Sequence, residues 1–278
     1  MDDNKWNLEN KNVVITGSNT GIGFHIAINI LKQKANVIIH GRDKEKGEKA
    51  KRKLIGLTDN NNVEFVYADF SSFIDVLNFV NNIEDIFGKI DVLINNAGIY
   101  SARKIITEDG YELTLTVNHL SHFLLTNLIL ELIKKSNDGR IINVSSMIHS
   151  GSIDFNNLNG EKYYNGSEAY SLSKLCNILF TYKLARMLKK TNVTVNCLHP
   201  GVVNTKLLKE GWGGGGVSVK EGAKTSVYLA SSDEVKGVSG RYFVNMRPVP
   251  SKPITYDTYV QDKCWEKSME MVGKYMNI

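Results

Sequence analysis

The sequence has few cysteines and no long apolar run, and each shortage excludes a class of protein. Its three cysteines, Cys176, Cys197 and Cys264, are far apart and odd in number, so they provide neither a disulfide framework nor the spacing of a zinc site. No run of about 18 uncharged apolar residues is present, so no integral membrane span is expected. The opening residues, MDDNKWNLENK, are too acidic and polar for a secretory signal. We therefore expect a cytoplasmic protein with reduced thiols.

Neither sign of charge dominates the chain. It has 278 residues, of which 23% are charged and 42% hydrophobic, and its net charge is +5. Its most basic segment, RDKEKGEKAKRK at 42–53, mixes both signs at helical spacing and lacks aromatic residues. That pattern favours a solvated helix face over a nucleic-acid surface, so no nucleic-acid partner is expected.

Short β-branched runs alternate with longer amphipathic stretches along the chain. The predicted strands are 12–16, 36–40, 63–67, 91–95, 140–145, 193–198 and 241–245. The predicted helices are 21–34, 43–55, 73–87, 110–135, 168–190, 220–231 and 255–273. The alternation predicts an α/β fold over 1–278, a single-domain Rossmann-type doubly wound parallel sheet with helices on both faces. Two polar segments, 147–169 and 202–219, leave the carboxyl ends of strands, where ligands bind in such sheets, and are predicted to form a substrate lobe.

A glycine-rich turn joins the first predicted strand to the first predicted helix. It reads TGSNTGIG at 16–23, so that glycines stand where a phosphate-binding loop needs them. Gly17 permits the tight turn, Gly21 lets the backbone approach a pyrophosphate, and Gly23 allows the helix to pack closely on the strand. The helix N-terminus then offers its N–H groups and positive dipole end to phosphates. The alternative is a plain turn before a helix.

The predicted helix 168–190 contains AYSLSKLCNILF, which carries Tyr170 and Lys174 on an otherwise apolar stretch. A spacing of four residues puts the phenol and the ammonium on one face, one turn apart. Taken alone, this pair is most simply a half-buried tyrosine beside a lysine that extends its amine to water. The remaining motifs change that interpretation.

Six motifs in this order resemble those of the short-chain dehydrogenase/reductase family, in particular its branch of retinol dehydrogenases and WW-domain oxidoreductases. The resemblance covers about residues 10–245. The motifs are TGSNTGIG (16–23), NNAG (95–98), VNHLSHFLLT (117–126), NVSS (143–146), YSLSK (170–174) and HPGVVNT (199–205). GRDKEKGE and YSLSKLCNILF carry the resemblance to the branch.

The resemblance implies four catalytic residues. Tyr170 would exchange a proton with the substrate oxygen. Lys174, in a dry cleft beside a positively charged nicotinamide, would lower the pKa of that phenol toward about 7, where acid–base catalysis at neutral pH is most effective. Ser146, favoured over Ser145 by strand alternation, would hydrogen-bond the developing oxyanion. Asn118 would hold a water that links the lysine to solvent.

The resemblance also implies a nicotinamide cofactor. NAD-using relatives end the second strand on a carboxylate, whereas this chain has Gly41 followed by Arg42, whose guanidinium can bind a 2′-phosphate. NADP(H) is therefore expected over NAD(H), although a second basic residue in the glycine loop is missing. The predicted cofactor-binding residues are Gly17, Ser18, Asn19, Thr20, Gly21, Ile22, Gly23, Arg42, Asp69, Phe70, Asn96, Ala97, Gly98, Tyr170, Lys174, Pro200, Gly201, Val203 and Thr205.

These residues together predict an NADP(H)-dependent oxidoreductase that interconverts an apolar aldehyde or ketone and its alcohol. A non-catalytic NADP(H)-binding regulator or scaffold and an epimerase or dehydratase on the same fold are the alternatives. No metal is expected: His119 and His122 lack a companion carboxylate or thiol in the sequence, and Ser146 with His149 lacks a hydrolase's nucleophile elbow. Cys176 is expected to face the core, and His199 to shape the cofactor pocket.

Two expectations concern assembly and motion. The predicted helix 168–190 is apolar on more than one face, which together with the resemblance predicts a homodimer or homotetramer. The run GWGGGG at 211–216 is expected to be poorly ordered without substrate, with 202–212 acting as a lid. A passive linker is the alternative.

Overall fold

The computed structural model describes residues 7–276, and within them a parallel sheet carries the ligand-facing loops. The predicted strands all form, and one further strand extends the sheet at its edge. In chain order the strands are β1 Asn12–Ile15, β2 Asn36–Gly41, β3 Val63–Tyr67, β4 Val92–Asn95, β5 Gly139–Val144, β6 Val193–His199, β7 Tyr242–Val244 and β8 Arg247–Val249.

The strand order reverses direction at β1, inside the sheet. The order is β3-β2-β1-β4-β5-β6-β7-β8, and every neighbouring pair is parallel except β7 and β8. β1 pairs with β2 on one side and with β4 on the other, so the chain changes direction across the sheet at β1. The crevice above that point is where doubly wound sheets bind their ligands. The fold class predicted from the sequence is confirmed.

The helices cover both faces of the sheet. They are α1 Gly21–Leu31, α2 Lys44–Thr58, α3 Phe73–Ile86, α4 Leu113–Leu115, α5 Ser121–Leu128, α6 Leu130–Lys134, α7 Gly166–Met187, α8 Lys206–Trp212, α9 Val219–Ser231 and α10 Thr258–Val272. One apolar core lies on each face of the sheet, built largely from strand residues and the inner faces of these helices. In the described part of the chain, no helix has both the length and the apolar character needed to cross a bilayer.

The continuous helix predicted over 110–135 is wrong. Residues 107–112 form a turn, and the helix then contains a π-helical turn at Thr116–Leu120 between α4 and α5. Within that turn the His122 ring contacts the carbonyl oxygen of Asn118, with Nδ1 at 3.1 Å. Apolar periodicity continues through such a turn, which is why the sequence did not reveal it, and π-helical turns are frequent at functional sites.

The second apolar face of α7 packs within the chain. Trp265 of α10 packs on Phe123 of α5 and Phe180 of α7, with ring centroids 4.8 Å and 5.8 Å away. Tyr182 of α7 stacks on Tyr256 at 5.4 Å. The face expected to need a partner subunit is therefore covered by α10 and the residues before it, which the sequence argument had not considered.

Candidate active site

A cleft of about 1360 Å³ opens at the carboxyl ends of the strands. Nearly every residue predicted to bind cofactor or to catalyse lines it, from the glycine loop after β1 to Thr205 before α8. Ser18 and Asn118 do not. The Ser18 hydroxyl turns inward and donates to the carbonyl of Ile15 at 2.6 Å, while Asn118 is fully buried behind the cleft wall.

The glycine loop has the open shape that a dinucleotide needs. Gly21 has φ of 60°, and a Cβ built there would meet no atom within 4 Å, so the loop presents bare backbone to the cleft. At Gly23 a Cβ would lie 2.4 Å from the carbonyl oxygen of Gly17, so only glycine lets α1 approach the loop this closely. Thr20 makes no side-chain capping hydrogen bond to α1. The first-turn N–H groups can therefore serve a phosphate, and the loop fits a nicotinamide dinucleotide.

His40, which the sequence reasoning missed, holds the glycine loop in place. Its Nδ1 accepts a hydrogen bond from the backbone N–H of Gly17 at 2.9 Å, so Nε2 carries the proton and donates to the carbonyl of Ala68 at 3.0 Å. The ring stacks on Phe70 with centroids 4.2 Å apart. Burial lowers the pKa of His40 to about 4, so the ring is neutral at physiological pH. A lone histidine inside an apolar strand gave no signal of this role.

The end of β2 carries Gly41 in place of the carboxylate expected of NAD-using relatives, and the Asn19 side chain fills the space beside it. A Cβ at Gly41 would lie 2.4 Å from the side-chain nitrogen of Asn19. Arg42 is exposed and lines the cleft. Lys46 also lines it, one turn into α2, and its ammonium lies 2.5 Å from the Asp43 carboxylate that caps this helix. Lys46 thus supplies a second cation near Arg42, which the search of the glycine loop had not found.

Asp69 and Phe70 lie in the loop after β3, at the far end of the cleft. Asp69 Oδ1 accepts hydrogen bonds from the N–H and hydroxyl of Ser71 at 2.9 and 2.8 Å. Ser72, and not Asp69, caps α3. The Asp69 side chain therefore shapes the loop that borders the cleft.

The NNAG segment is tied to the glycine loop through Thr16. The Thr16 hydroxyl accepts hydrogen bonds from the N–H groups of Asn96 and Ala97, both at 2.9 Å. It lies 2.8 Å from His122 Nε2, and since its oxygen already accepts two bonds, it donates its proton to that ring nitrogen. His122 thus connects the glycine loop to the π-helical turn that carries Asn118, a role that the sequence did not indicate.

Tyr170, Ser146 and Lys174 meet in the cleft. All three are nearly fully buried, yet each lines the cleft. The Lys174 ammonium lies 5.5 Å from the centroid of the Tyr170 ring and donates to the carbonyl of Val144 at 3.1 Å. The neighbouring Ser145 hydroxyl is engaged elsewhere, donating to the backbone carbonyl of Lys174 at 2.7 Å.

The protein chain without cofactor does not lower the pKa of Tyr170. Burial raises the pKa of Tyr170 to about 12, and a hydrogen bond with Ser146 only partly opposes this. Burial also lowers the pKa of Lys174 to about 8, so that this ammonium is still largely protonated at pH 7. The expected decrease therefore depends on the positive charge of a bound nicotinamide as well as on Lys174.

Asn118 supports this site from behind. Its side-chain oxygen accepts a hydrogen bond from the N–H of Ile99 at 2.8 Å, and its Nδ2 donates to the Ser173 hydroxyl at 3.0 Å. Its backbone carbonyl is contacted by His122 Nδ1 at 3.1 Å and by Asn177 Nδ2 at 3.0 Å. The backbone carbonyl oxygen of Asn118 therefore already accepts hydrogen bonds from two protein groups.

Aromatic and aliphatic side chains line the mouth of the cleft above Tyr170. The Trp212 ring lies 5.2 Å from that of Tyr100. Trp212 lies in the segment predicted to form the substrate lobe and lid, whereas Tyr100 was not predicted to line the cleft. The apolar residues of the wall include Ile105, Leu113, Met147, Ile148 and Leu208.

The segment that contains the glycine run begins and ends in fixed structure. Thr205 caps α8 by accepting a hydrogen bond from the N–H of Leu208 at 3.2 Å, and Gly213 ends the helix in a left-handed conformation. A β-bridge between Val203 and Val217 then joins the two ends of the segment. The poor order expected at 211–216 without substrate stays a prediction.

The rival sites are not assembled among the described residues. His149 Nδ1 bonds the backbone carbonyl of Ser146 at 2.7 Å, so the serine hydroxyl is not its partner. His119 lies near the buried thiols of Cys176 and Cys264, all ligand atoms within 4.8 Å of one another, a cluster the sequence did not suggest. Both His119 nitrogens already have hydrogen-bond partners, and the neighbouring Cys264 together with burial raises the pKa of Cys176, which keeps its thiol neutral.

Comparison with known proteins identifies the family of this site. The chain matches the short chain dehydrogenase family over residues 11–212. The chain belongs to that family. It is 42% identical to human retinol dehydrogenase 14, over 96% of this chain and 87% of that protein, and 38% identical to human retinol dehydrogenase 13, over 97% and 86%.

The fold comparison agrees. A crystal structure of an uncharacterized protein from Mycobacterium paratuberculosis superposes with a TM-score of 0.81 at 30% identity, covering 97% of this chain and 96% of the other. This short-chain dehydrogenase is retinol-dehydrogenase-like. It is an oxidoreductase that acts on CH–OH donors and uses a nicotinamide cofactor.

Proposed function

We propose that this enzyme is an NADP(H)-dependent oxidoreductase that interconverts an apolar aldehyde or ketone and its alcohol, with Tyr170 as the acid–base residue. The observation that carries the proposal is the meeting of Tyr170, Ser146 and Lys174 at one end of a cleft whose other end holds the glycine loop and Arg42. A scaffold protein that only bound the cofactor would not need these three groups together.

The cofactor, when bound, supplies or accepts a hydride at its nicotinamide ring. In carbonyl reduction the Tyr170 O–H bond breaks as its proton moves to the substrate oxygen, which would otherwise become an alkoxide. The Ser146 hydroxyl donates a hydrogen bond to the same oxygen and stabilises the negative charge that develops there. Lys174 places a positive charge beside the phenolate that is left behind.

The preference for NADP(H) rests on the end of β2. Gly41 leaves no carboxylate to accept a ribose hydroxyl or to repel a phosphate, and Arg42 and Lys46 both line this part of the cleft. A guanidinium binds a phosphate through two parallel hydrogen bonds, and an ammonium adds a point charge. Asp43 lies nearby but is engaged in capping α2 and in its ion pair with Lys46.

The apolar substrate follows from the wall of the cleft and from the relatives. The side chains above Tyr170 are mostly aliphatic and aromatic, and relatives that are 38–42% identical to this chain are named retinol dehydrogenases. We expect a medium-sized carbonyl compound whose chain lies along Tyr100, Leu113 and Trp212.

The test is consumption of NADPH, followed at 340 nm, with a panel of aldehydes and ketones of increasing chain length. Turnover with NADPH, weaker turnover with NADH and loss of activity in Tyr170→Phe support the proposal. Tight NADPH binding without turnover on any member of the panel would instead indicate the non-catalytic regulator or scaffold.

Assembly and location remain predictions. A homodimer or homotetramer is expected from the family resemblance. The α7 face that also supported this expectation packs against α10, so the prediction now depends on the resemblance alone. Light scattering, which measures the mass of the particle in solution, tests it. We propose a cytoplasmic location because the cysteines of the described residues are free thiols. Of the polar opening residues, 1–6 lie outside the described residues. Fractionation of cells decides the location.

A further inference from the structure

The side-chain amide of Asn177 contacts two buried backbone carbonyls behind Lys174, those of Asn118 and Val144. The carbonyl of Val144, at the end of β5, accepts from the Lys174 ammonium at 3.1 Å. Asn177, three residues after Lys174 on α7, donates its Nδ2 to the carbonyl of Asn118 at 3.0 Å and approaches the Val144 carbonyl at 3.5 Å. Its amide thus joins β5, the π-helical turn and α7, the three elements that carry Ser146, Asn118 and Tyr170.

The orientation of Asn177 is set by His119. The side-chain oxygen of Asn177 lies 3.1 Å from His119 Nδ1, so this nitrogen must carry the ring proton and donate it. His119 Nε2 then has no proton and lies 2.8 Å from the Ser268 hydroxyl of α10, whose single proton is shared between this nitrogen and the backbone carbonyl of Cys264, also 2.8 Å away. Burial lowers the pKa of His119 to about 4, which keeps the ring in this neutral form. The whole series is buried and lies outside the cleft.

We infer that Asn177 is a positioning residue for proton transfer, held by His119 and Ser268, and that α10 thereby supports the active site. Resting on the proposed function, this inference assigns a role to residues that do not touch substrate or cofactor. The Lys174 ammonium bonds the Val144 carbonyl already, and Asn177 shares that oxygen, which limits how strongly it attracts the ammonium. Without Asn177 the hydrogen bond from Lys174 to Val144 strengthens, and Lys174 stabilises the phenolate less.

The groups around Lys174 support an effect on pH dependence. In the described residues, the titratable groups near it are Tyr170 on its own helix and His122 on α5, while His119 lies behind Asn177. Burial lowers the pKa of His122 to about 3, so neither histidine carries charge above pH 6. A shift in the pH profile therefore reports the Tyr170–Lys174 pair.

The test compares Asn177→Leu, which keeps the branching and the number of side-chain heavy atoms, with Cys176→Ala, a second buried change on the same helix. We expect Asn177→Leu to reduce kcat about 10-fold or more with little change in the KM for NADPH. The apparent pKa of alcohol oxidation should rise by at least about half a unit. His119→Leu should shift it in the same direction, whereas His119→Asn, which keeps a donor near the Nδ1 position, should restore most of the wild-type profile. Cys176→Ala should lower thermal stability without moving the pH profile.

An unchanged profile in Asn177→Leu, with wild-type turnover intact, overturns the inference and leaves the proposed function standing. An inactive wild type overturns the proposed function. In that case an NMR titration of the Lys174 ammonium, assigned by its loss in Lys174→Met, still decides the inference. Its pKa should rise in Asn177→Leu and stay unchanged in Cys176→Ala, and no difference between these two variants would refute the role of Asn177.

Discussion

The indole of Trp212 packs edge to face against the phenol of Tyr170, with the two ring centroids 5.3 Å apart. Trp212 is the last residue of α8, and four consecutive glycines with positive φ follow it. An aromatic side chain on a short helix therefore covers Tyr170, the proposed proton donor, and the backbone beside it can turn easily. The arrangement suits a segment that moves when substrate enters.

The lid expected at 202–212 can be tested by hydrogen exchange. Substrate and NADPH together should slow exchange at 203–216, because a closed segment would trap both ligands beneath it. Exchange measured by mass spectrometry, with and without saturating ligands, checks this. A passive linker would exchange at the same rate in both states.

Replacement of Tyr170 by phenylalanine should abolish turnover and leave NADPH binding nearly intact. The ring would keep its packing, but the proton donor would be gone, and such groups contribute about 10²–10⁴-fold to rate. Steady-state kinetics and fluorescence titration of NADPH provide the two measurements. Retention of more than about a tenth of wild-type kcat would show that another group transfers the proton.

Replacement of Arg42 by alanine should weaken NADPH far more than NADH. Loss of a charge-assisted hydrogen bond to a phosphate costs roughly 1.5–3 kcal/mol, which corresponds to about a 10- to 100-fold higher Kd. Lys46→Ala should produce a smaller change with the same selectivity. Lys49, an exposed lysine of α2 outside the cleft, provides the control. Equal losses for both cofactors would contradict the 2′-phosphate assignment.

Most of this site could be predicted from the sequence because local motifs specify it. The glycine loop, Arg42, Tyr170 and Lys174 each stand at a strand end or at a fixed spacing on one helix, and such positions are predictable from strand and helix period. What could not be predicted depends on long-range packing. His40 supports the loop from a neighbouring strand, and α10 covers α7 from about 80 residues away, with no local signal for either.

The same limit explains the missed strand and the interrupted helix. β8 reads RPV, is mostly exposed and has only three residues, so it has neither alternation nor length to identify it. The π-helical turn is visible only in its backbone hydrogen bonds. The extent to which burial raises the pKa of Tyr170 is likewise a property of the folded cleft.

The pH dependence of alcohol oxidation should reflect this raised pKa. Oxidation needs Tyr170 as phenolate, and burial raises the pKa of Tyr170 to about 12 in the protein chain, so the rate should still increase with pH above 7. Carbonyl reduction needs the phenol and should be nearly constant over the same range. Initial rates from pH 6 to 9 in both directions check the signs. An oxidation rate that is already constant at pH 7 would mean that Lys174 and the cofactor overcome the burial.

Direct transfer of hydride from NADPH to a carbonyl carbon is the central claim, and isotope transfer tests it most directly. NADPH carrying deuterium at the transferable position of C4 is incubated with the enzyme and an apolar aldehyde, and the alcohol is analysed by mass spectrometry. We predict that the alcohol gains one deuterium on its carbinol carbon, and that Tyr170→Phe forms almost none of this product. Bound NADPH that is never consumed, or an alcohol without the label, would contradict the account.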